Sequence, residues 1–135
     1  MSAPNESLDL VHTAASGAAD KLAINIVAFD VSGHLVITDL FLLCSGSNER
    51  HVQAIVDGVE ESLLKVGRKP LRREGERDAR WVLLDYGDIV VHVQHEEDRA
   101  FYALERLWKD CPTLDLSLVD SAQADEKASS IDDAS

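Results

Sequence analysis

No polar residue interrupts Leu40-Phe41-Leu42-Leu43, so a strand built from these residues offers water no face and has to be covered on both sides. The run belongs to a segment from Val36 to Cys44 that stops at the turn-forming stretch Ser45-Gly46-Ser47-Asn48. Beyond it Val52, Ile55, Val56, Val59, Leu63 and Val66 keep helical spacing, with Asn48 placed to cap that helix and Gly67 placed to end it. A buried strand followed at once by an amphipathic helix needs a crossover to return to the sheet. The segment 36–44 is therefore expected to be the central strand of an α/β fold.

The other elements fit around it. Leu8, Val11, Ala15, Ala18 and Leu22 recur at three- and four-residue steps, the pattern of one helix face, which Gly17 weakens without forbidding. Ile24 to Val31 is rich in β-branched and aromatic residues and leads into Ser32-Gly33, so it reads as a strand before a turn. Lys69 to Glu74 is short and polar with Pro70 near its start, which suits an edge strand, and the polar loop 75–80 is expected to be mobile. Trp81 to Leu84 and Ile89 to Val93 are joined by Asp85-Tyr86-Gly87-Asp88, where Gly87 supplies the positive φ of a tight hairpin connection. A last helix is predicted over Glu96 to Lys109, with Phe101, Leu104, Leu107 and Trp108 inward, ending at Cys111-Pro112. The order α-β-β-α-β-β-β-α then implies a mixed five-stranded sheet with helices packed on it.

A chain of 135 residues, 45% of them apolar, has material for one core, expected over residues 1–118. The segment 119–135 is rich in Ser, Ala and Asp and lacks apolar periodicity, so it is expected to be an acidic, disordered tail. No stretch reaches the roughly 20 apolar residues of a membrane span, and Met1 to Asp9 lacks a leader pattern, so the expected location is the cytoplasm. The net charge of −12 argues against nucleic-acid binding, which needs clustered Lys and Arg, and suits a basic protein partner. Cys44 and Cys111 have no paired spacing and read as two idle thiols.

Several constellations invite chemistry. Gly46-Ser47, between a buried strand and a helix, looks like a nucleotidyltransferase phosphate cradle. Where that site needs closely spaced acids the chain has Asn48, Glu49, Arg50 and His51, so a turn with an Asn cap is the expected reading. Asp85, Asp88 and His92, with Asp39, are candidate ligands or acid–base groups, but strand-end aspartates more often fix turn amides, and His92 between valines suits a hydrogen-bonded interior histidine. Neither a metal nor a cofactor is expected. Arg99, after Glu96, Glu97 and Asp98, reads as a solvated or salt-bridged helix turn. Lys65, Arg68, Lys69, Arg72 and Arg73 form the chain's one basic cluster and are expected to be solvated. Trp81, at the mouth of a strand after a polar loop, and Tyr102, about a hundred degrees round its helix from Phe101, are candidate interface anchors.

Taken together, Val36-Ile37-Thr38-Asp39, Ser45-Gly46-Ser47-Asn48, Arg50-His51-Val52, Glu74-Gly75, the run Trp81 to His92, Arg99, Phe101-Tyr102, Leu104-Glu105 and Leu107-Trp108 resemble the ribosomal silencing factor, or Iojap-like, family. The likeness runs from about Leu8 to Trp108. It implies a nucleotidyltransferase-like fold without the catalytic acids and a translational repressor rather than an enzyme. It further implies binding to ribosomal protein L-fourteen on the large ribosomal subunit, which blocks joining of the small subunit when nutrients are short. The partner-binding residues so implied are Trp81 and Tyr102, with Glu74, Arg50 and Asp85 as additions. The alternatives are a large-subunit maturation factor and a nucleotidyltransferase-like enzyme; a homodimer through the same aromatic edge would compete with the ribosomal partner.

Overall fold

The computed structural model describes residues 4–35 and 37–116, without the side chains of Phe101 and Tyr102. Val36 and the tail expected over 119–135 lie outside the described residues.

Helix α1 (Asn5–Asp20) leads into β1 (Ile24–Asp30) and β2 (Leu40–Gly46). Helix α2 (Glu49–Lys65) crosses to β3 (Arg72–Glu74), β4 (Trp81–Asp85) and β5 (Ile89–His95). Two short helices, α3 (Glu96–Tyr102) and α4 (Leu104–Leu107), follow. The strands form one five-stranded sheet in the order β1-β2-β5-β4-β3, the mixed sheet expected, in which β2 and β5 are parallel and the other pairs antiparallel. The central strand is β5 rather than β2, because β2 gains β1 on its outer side; both are interior, and every residue of β5 is buried.

The β-period of two divides the sheet into two faces. Ala28, Leu40, Leu42, Cys44, Val82, Leu84, Ile89, Val91 and Val93 point to the main core, where Val11, Ala14, Ala15 and Ala18 of α1 meet Val52, Ile55, Val56, Val59 and Leu63 of α2. The helices cross at a pair of glycines. A methyl on Gly17 would stand 2.6 Å from the Gly58 carbonyl oxygen, so the residue that weakens α1 as a helix is what lets α2 approach it. Leu22 and Val66, expected inward, are 70% and 54% exposed, because α1 has already ended at Asp20 and α2 at Lys65.

The opposite face carries a smaller cluster, Phe29, Val31, Leu43 and Cys111, against which Val27, Leu35, Phe41, Leu104 and Trp108 pack. This cover reaches the sheet because the last helix breaks. Ala103 takes φ +48°, so the helix expected over 96–109 is broken into two short helices, and Leu107 is 71% exposed instead of inward. Nothing in the local sequence signals the break, since Ala is the best helix former; the seating of Leu104 and Trp108 on Phe41 accompanies it.

Candidate functional site

The turn after β2 is closed by its own side chains. The His51 amide donates to Asn48 Oδ1 at 2.8 Å, the expected cap, and the Ser47 amide donates to His51 Nδ1 at 2.9 Å. His51 Nε2 lies 2.8 Å from the Lys21 carbonyl oxygen, which ties the turn to the end of α1. A phosphate cradle needs free amides at this place, and the Ser47 amide is already taken.

At the other end of the sheet Asp85 serves the backbone as expected, whereas Asp88 and Asp39 meet side chains. Asp85 Oδ1 accepts from the Gly87 amide at 2.8 Å, in the turn where Gly87 has φ +86°, and Asp88 meets Arg68 at 3.4 Å. Asp39 accepts from the Ser7 hydroxyl at 2.9 Å. Among the described residues no three His, Cys, Asp or Glu side chains converge as metal ligands. The basic cluster is largely paired: Arg68 with Asp88, Arg72 with Glu74 and Asp85, and Arg73 with Glu60. Cys44 and Cys111 are free and buried, and burial pushes the Cys44 thiol up to about 12.

Arg99 departs from expectation. It is salt-bridged, to Glu105 at 3.3 Å, but instead of lying in a solvated turn it is only 6% exposed, and its guanidinium donates to the Asn25 carbonyl and the Ser45 hydroxyl. The irregularity in β1 between Ile24 and Val27, where Asn25 adopts φ +51°, turns a carbonyl away from the sheet ladder, and the arginine fills the need. Three acids just before an arginine give no hint of that distant acceptor.

Among the described residues, part of this sheet face is left uncovered by α3, α4 and the chain that follows them. Cross-strand register puts Trp81, Leu83 and Asp85 of β4 on this face beside Arg72 and Glu74 of β3 and beside Val90, His92 and Gln94 of β5. Trp81, Leu83 and Asp85 are half-buried, whereas Val82 and Leu84 between them are fully buried in the main core. A shallow depression of about 280 Å³ is lined by Glu74, Trp81 and Leu83. The indole is held from below: Trp81 Nε1 donates to His92 Nδ1 at 3.1 Å, and the Phe41 ring stands edge-on to His92 with centroids 5.2 Å apart. His92 is 7% exposed, the interior histidine expected, and burial lowers its pKa to about 4, so the ring is neutral and free to accept from the indole.

Of the residues singled out by sequence, Trp81 and Glu74 share this depression, and Asp85 lies farther along the same strand and face. Arg50 is elsewhere, exposed in the first turn of α2 in the other layer. Tyr102 is the last residue of α3, and its side chain lies outside the described residues. Sequence reasoning does not bring Leu83, Phe41 or His92 to this face, although the alternation of Trp81 with Leu83 is a signal for the first. Beside Trp81, Arg80 is shared by Glu49, Glu97 and Asp98 at 3.1, 3.6 and 2.6 Å. Its hydrogen bond to Asp98, and then that to Glu49, raise the arginine's pKa further. The loop expected to be mobile is thus tied at its end to α2 and α3.

Taken as a whole, the chain is similar to known proteins. A family model described as "Ribosomal silencing factor during starvation" matches residues 4–135, beyond the residues that carry the resemblance in the sequence. The chain belongs to the ribosomal silencing factor family. It is 44% identical over 108 residues to the ribosomal silencing factor of Halalkalibacterium halodurans, covering 80% of this chain and 92% of that protein. A crystal structure of a Bacillus halodurans protein superposes with a TM-score of 0.70 at 41% identity, covering 83% of this chain and 99% of the other. It is also 33% identical over 89 residues to the mouse "Mitochondrial assembly of ribosomal large subunit protein 1", covering 64% of this chain and 39% of that protein. A ribosomal silencing factor is a regulator of translation named for its action on ribosomes, and in this one no helix among the described residues is long and apolar enough to cross a membrane.

Proposed function

We propose that this ribosomal silencing factor acts in the cytoplasm by seating its Trp81 face on ribosomal protein L-fourteen of the large subunit, so that the small subunit is kept from joining, with no chemistry of its own. The observation that carries this reading is the depression lined by Trp81, Leu83 and Glu74 on a sheet face whose other half is already covered. A rigid, partly exposed indole fixed by a hydrogen bond is the usual anchor of a protein interface, since it buries much area for little ordering entropy. The carboxylates around Arg80 and the net charge of −12 favour a basic partner and speed encounter with it. An interface of standard size takes about 800 Å² from each partner, which this small domain can offer from one face.

The test is co-sedimentation of the full chain with large subunits, with small subunits and with their mixture. Selective binding to large subunits with loss of joined ribosomes supports the reading. Trp81→Ala should then weaken binding by about 30-fold or more while circular dichroism and melting stay close to wild type. Binding to neither subunit, or equal binding by Trp81→Ala, overturns it. The name of the mouse relative favours a second reading, in which the same face serves large-subunit assembly; accumulation of large-subunit precursors in a deletion strain, without excess joined ribosomes, would select it.

A further inference from the structure

We infer that His92 is a positioning residue for partner binding, holding the Trp81 indole in its docking orientation from the adjoining strand on the same sheet face; this rests on the reading of Trp81 as the anchor. His92 sits directly across from Leu83 on the adjoining strand, and its Nδ1 accepts from Trp81 Nε1 at 3.1 Å. The accepting nitrogen leaves the proton on Nε2, which is buried and has no hydrogen-bond partner among the described residues. An unpaired buried N–H costs stability, so a residue selected for packing alone at this position would be apolar, like Val90 two residues before it on the same face. What the imidazole adds is an acceptor aimed at the indole.

The acceptor itself is held in place. Phe41 stands edge-on to His92 at 5.2 Å with an interplanar angle of 81°, and Trp108 stands edge-on to Phe41 at 5.2 Å and 79°. Trp81, His92, Phe41 and Trp108 therefore form a ladder across three strands, from the open depression to the covered half of the face. Rings at these distances interlock and favour one relative orientation. An indole that arrives already oriented loses less entropy on binding.

The experiment measures binding of the full chain to purified large ribosomal subunits for wild type, His92→Phe, His92→Asn and Trp81→Ala, with melting curves for each. Phenylalanine keeps the ring and removes the acceptor. Asparagine places an oxygen on the same Cγ that carries Nδ1 and restores it. The expected result is about tenfold weaker binding for His92→Phe with melting unchanged or raised, and recovery to within about threefold of wild type for His92→Asn. A role in folding alone would lower melting and leave the affinity of the folded fraction intact. If Trp81→Ala loses binding while His92→Phe binds like wild type, the positioning role is wrong and the anchor stands; if Trp81→Ala binds like wild type, the anchor is wrong as well. Should His92→Phe not fold, His92→Leu, smaller and also without an acceptor, replaces it in the same comparison, with the same result expected and the same result overturning the role.

Discussion

Replacing Gly58 by alanine puts a methyl group where two helix backbones already touch. The new Cβ would lie 2.7 Å from the Gly17 carbonyl oxygen and 2.7 Å from Lys21 Cγ, and the reciprocal change at Gly17 meets the Gly58 carbonyl at 2.6 Å and Ser62 Oγ at 2.5 Å. Both are far inside van der Waals contact. Lys21 and Ser62 can rotate away, but a carbonyl moves only with its helix, so α1 and α2 have to separate and loosen Val11, Ala15 and Ala18 from Ile55, Val59 and Leu63. Overpacking of this kind costs up to about 3 kcal/mol, offset by about 1 kcal/mol because alanine is the better helix former. The net loss for Gly58→Ala is about 2 kcal/mol, a fall in Tm of about 8 °C for a domain of this size. Thermal and urea unfolding followed by circular dichroism measure it, with Gly33→Ala as control, because a Cβ there meets nothing within 4 Å. The Gly17→Ala, Gly58→Ala double variant should lose less than the sum, since helices already separated accept the second methyl more easily. A Gly58→Ala protein as stable as wild type, or more so, would refute the close crossing.

Burial holds the His92 pKa at about 4 against an ordinary 6.5. The unfolded chain therefore takes up this proton first as the pH falls: the contribution is complete above about pH 6.5, and about 3 kcal/mol is lost by about pH 4. Urea midpoints across that window should fall more steeply for wild type than for His92→Phe, and parallel slopes would contradict the assignment. Arg99→Met strands the Asn25 carbonyl and the Ser45 hydroxyl and should cost about 3 kcal/mol, read as a lower urea midpoint, whereas a surface arginine would cost almost nothing. Asn48→Ala removes the acceptor for the His51 amide and should lower stability by about 1 kcal/mol in the same assay.

Much of the fold could be read from residues close together in the chain. The alternation in Trp81 to Leu84, the Asp85 to Asp88 turn, the Asn48 cap and the apolar run Leu40 to Leu43 each state a local rule, and the hairpin, the second helix and the two-sided strand follow from them. The idle readings of Ser47 and Asp85 were legible for the same reason, as their partners His51 and Gly87 are four and two residues away.

Contacts between distant parts of the chain decided the rest. Arg99 reads as a surface residue until β1 bulges at Asn25 and presents a carbonyl to it, 74 residues away. Ala103 should continue a helix, yet it adopts φ +48° with Leu104 and Trp108 seated on Phe41. Gly17 lowers helix propensity in isolation and becomes the point of closest approach only once Gly58 is opposite it. In the same way sequence could nominate Trp81 as an anchor, but only the pairing of β4 with β5 brings His92 beneath its indole and leaves Leu83 and Glu74 beside it. Periodicity and capping depend on neighbours within a turn or a strand, and so are written along the chain. Which face stays open, and what holds its central ring, depends on which segments the sheet brings side by side.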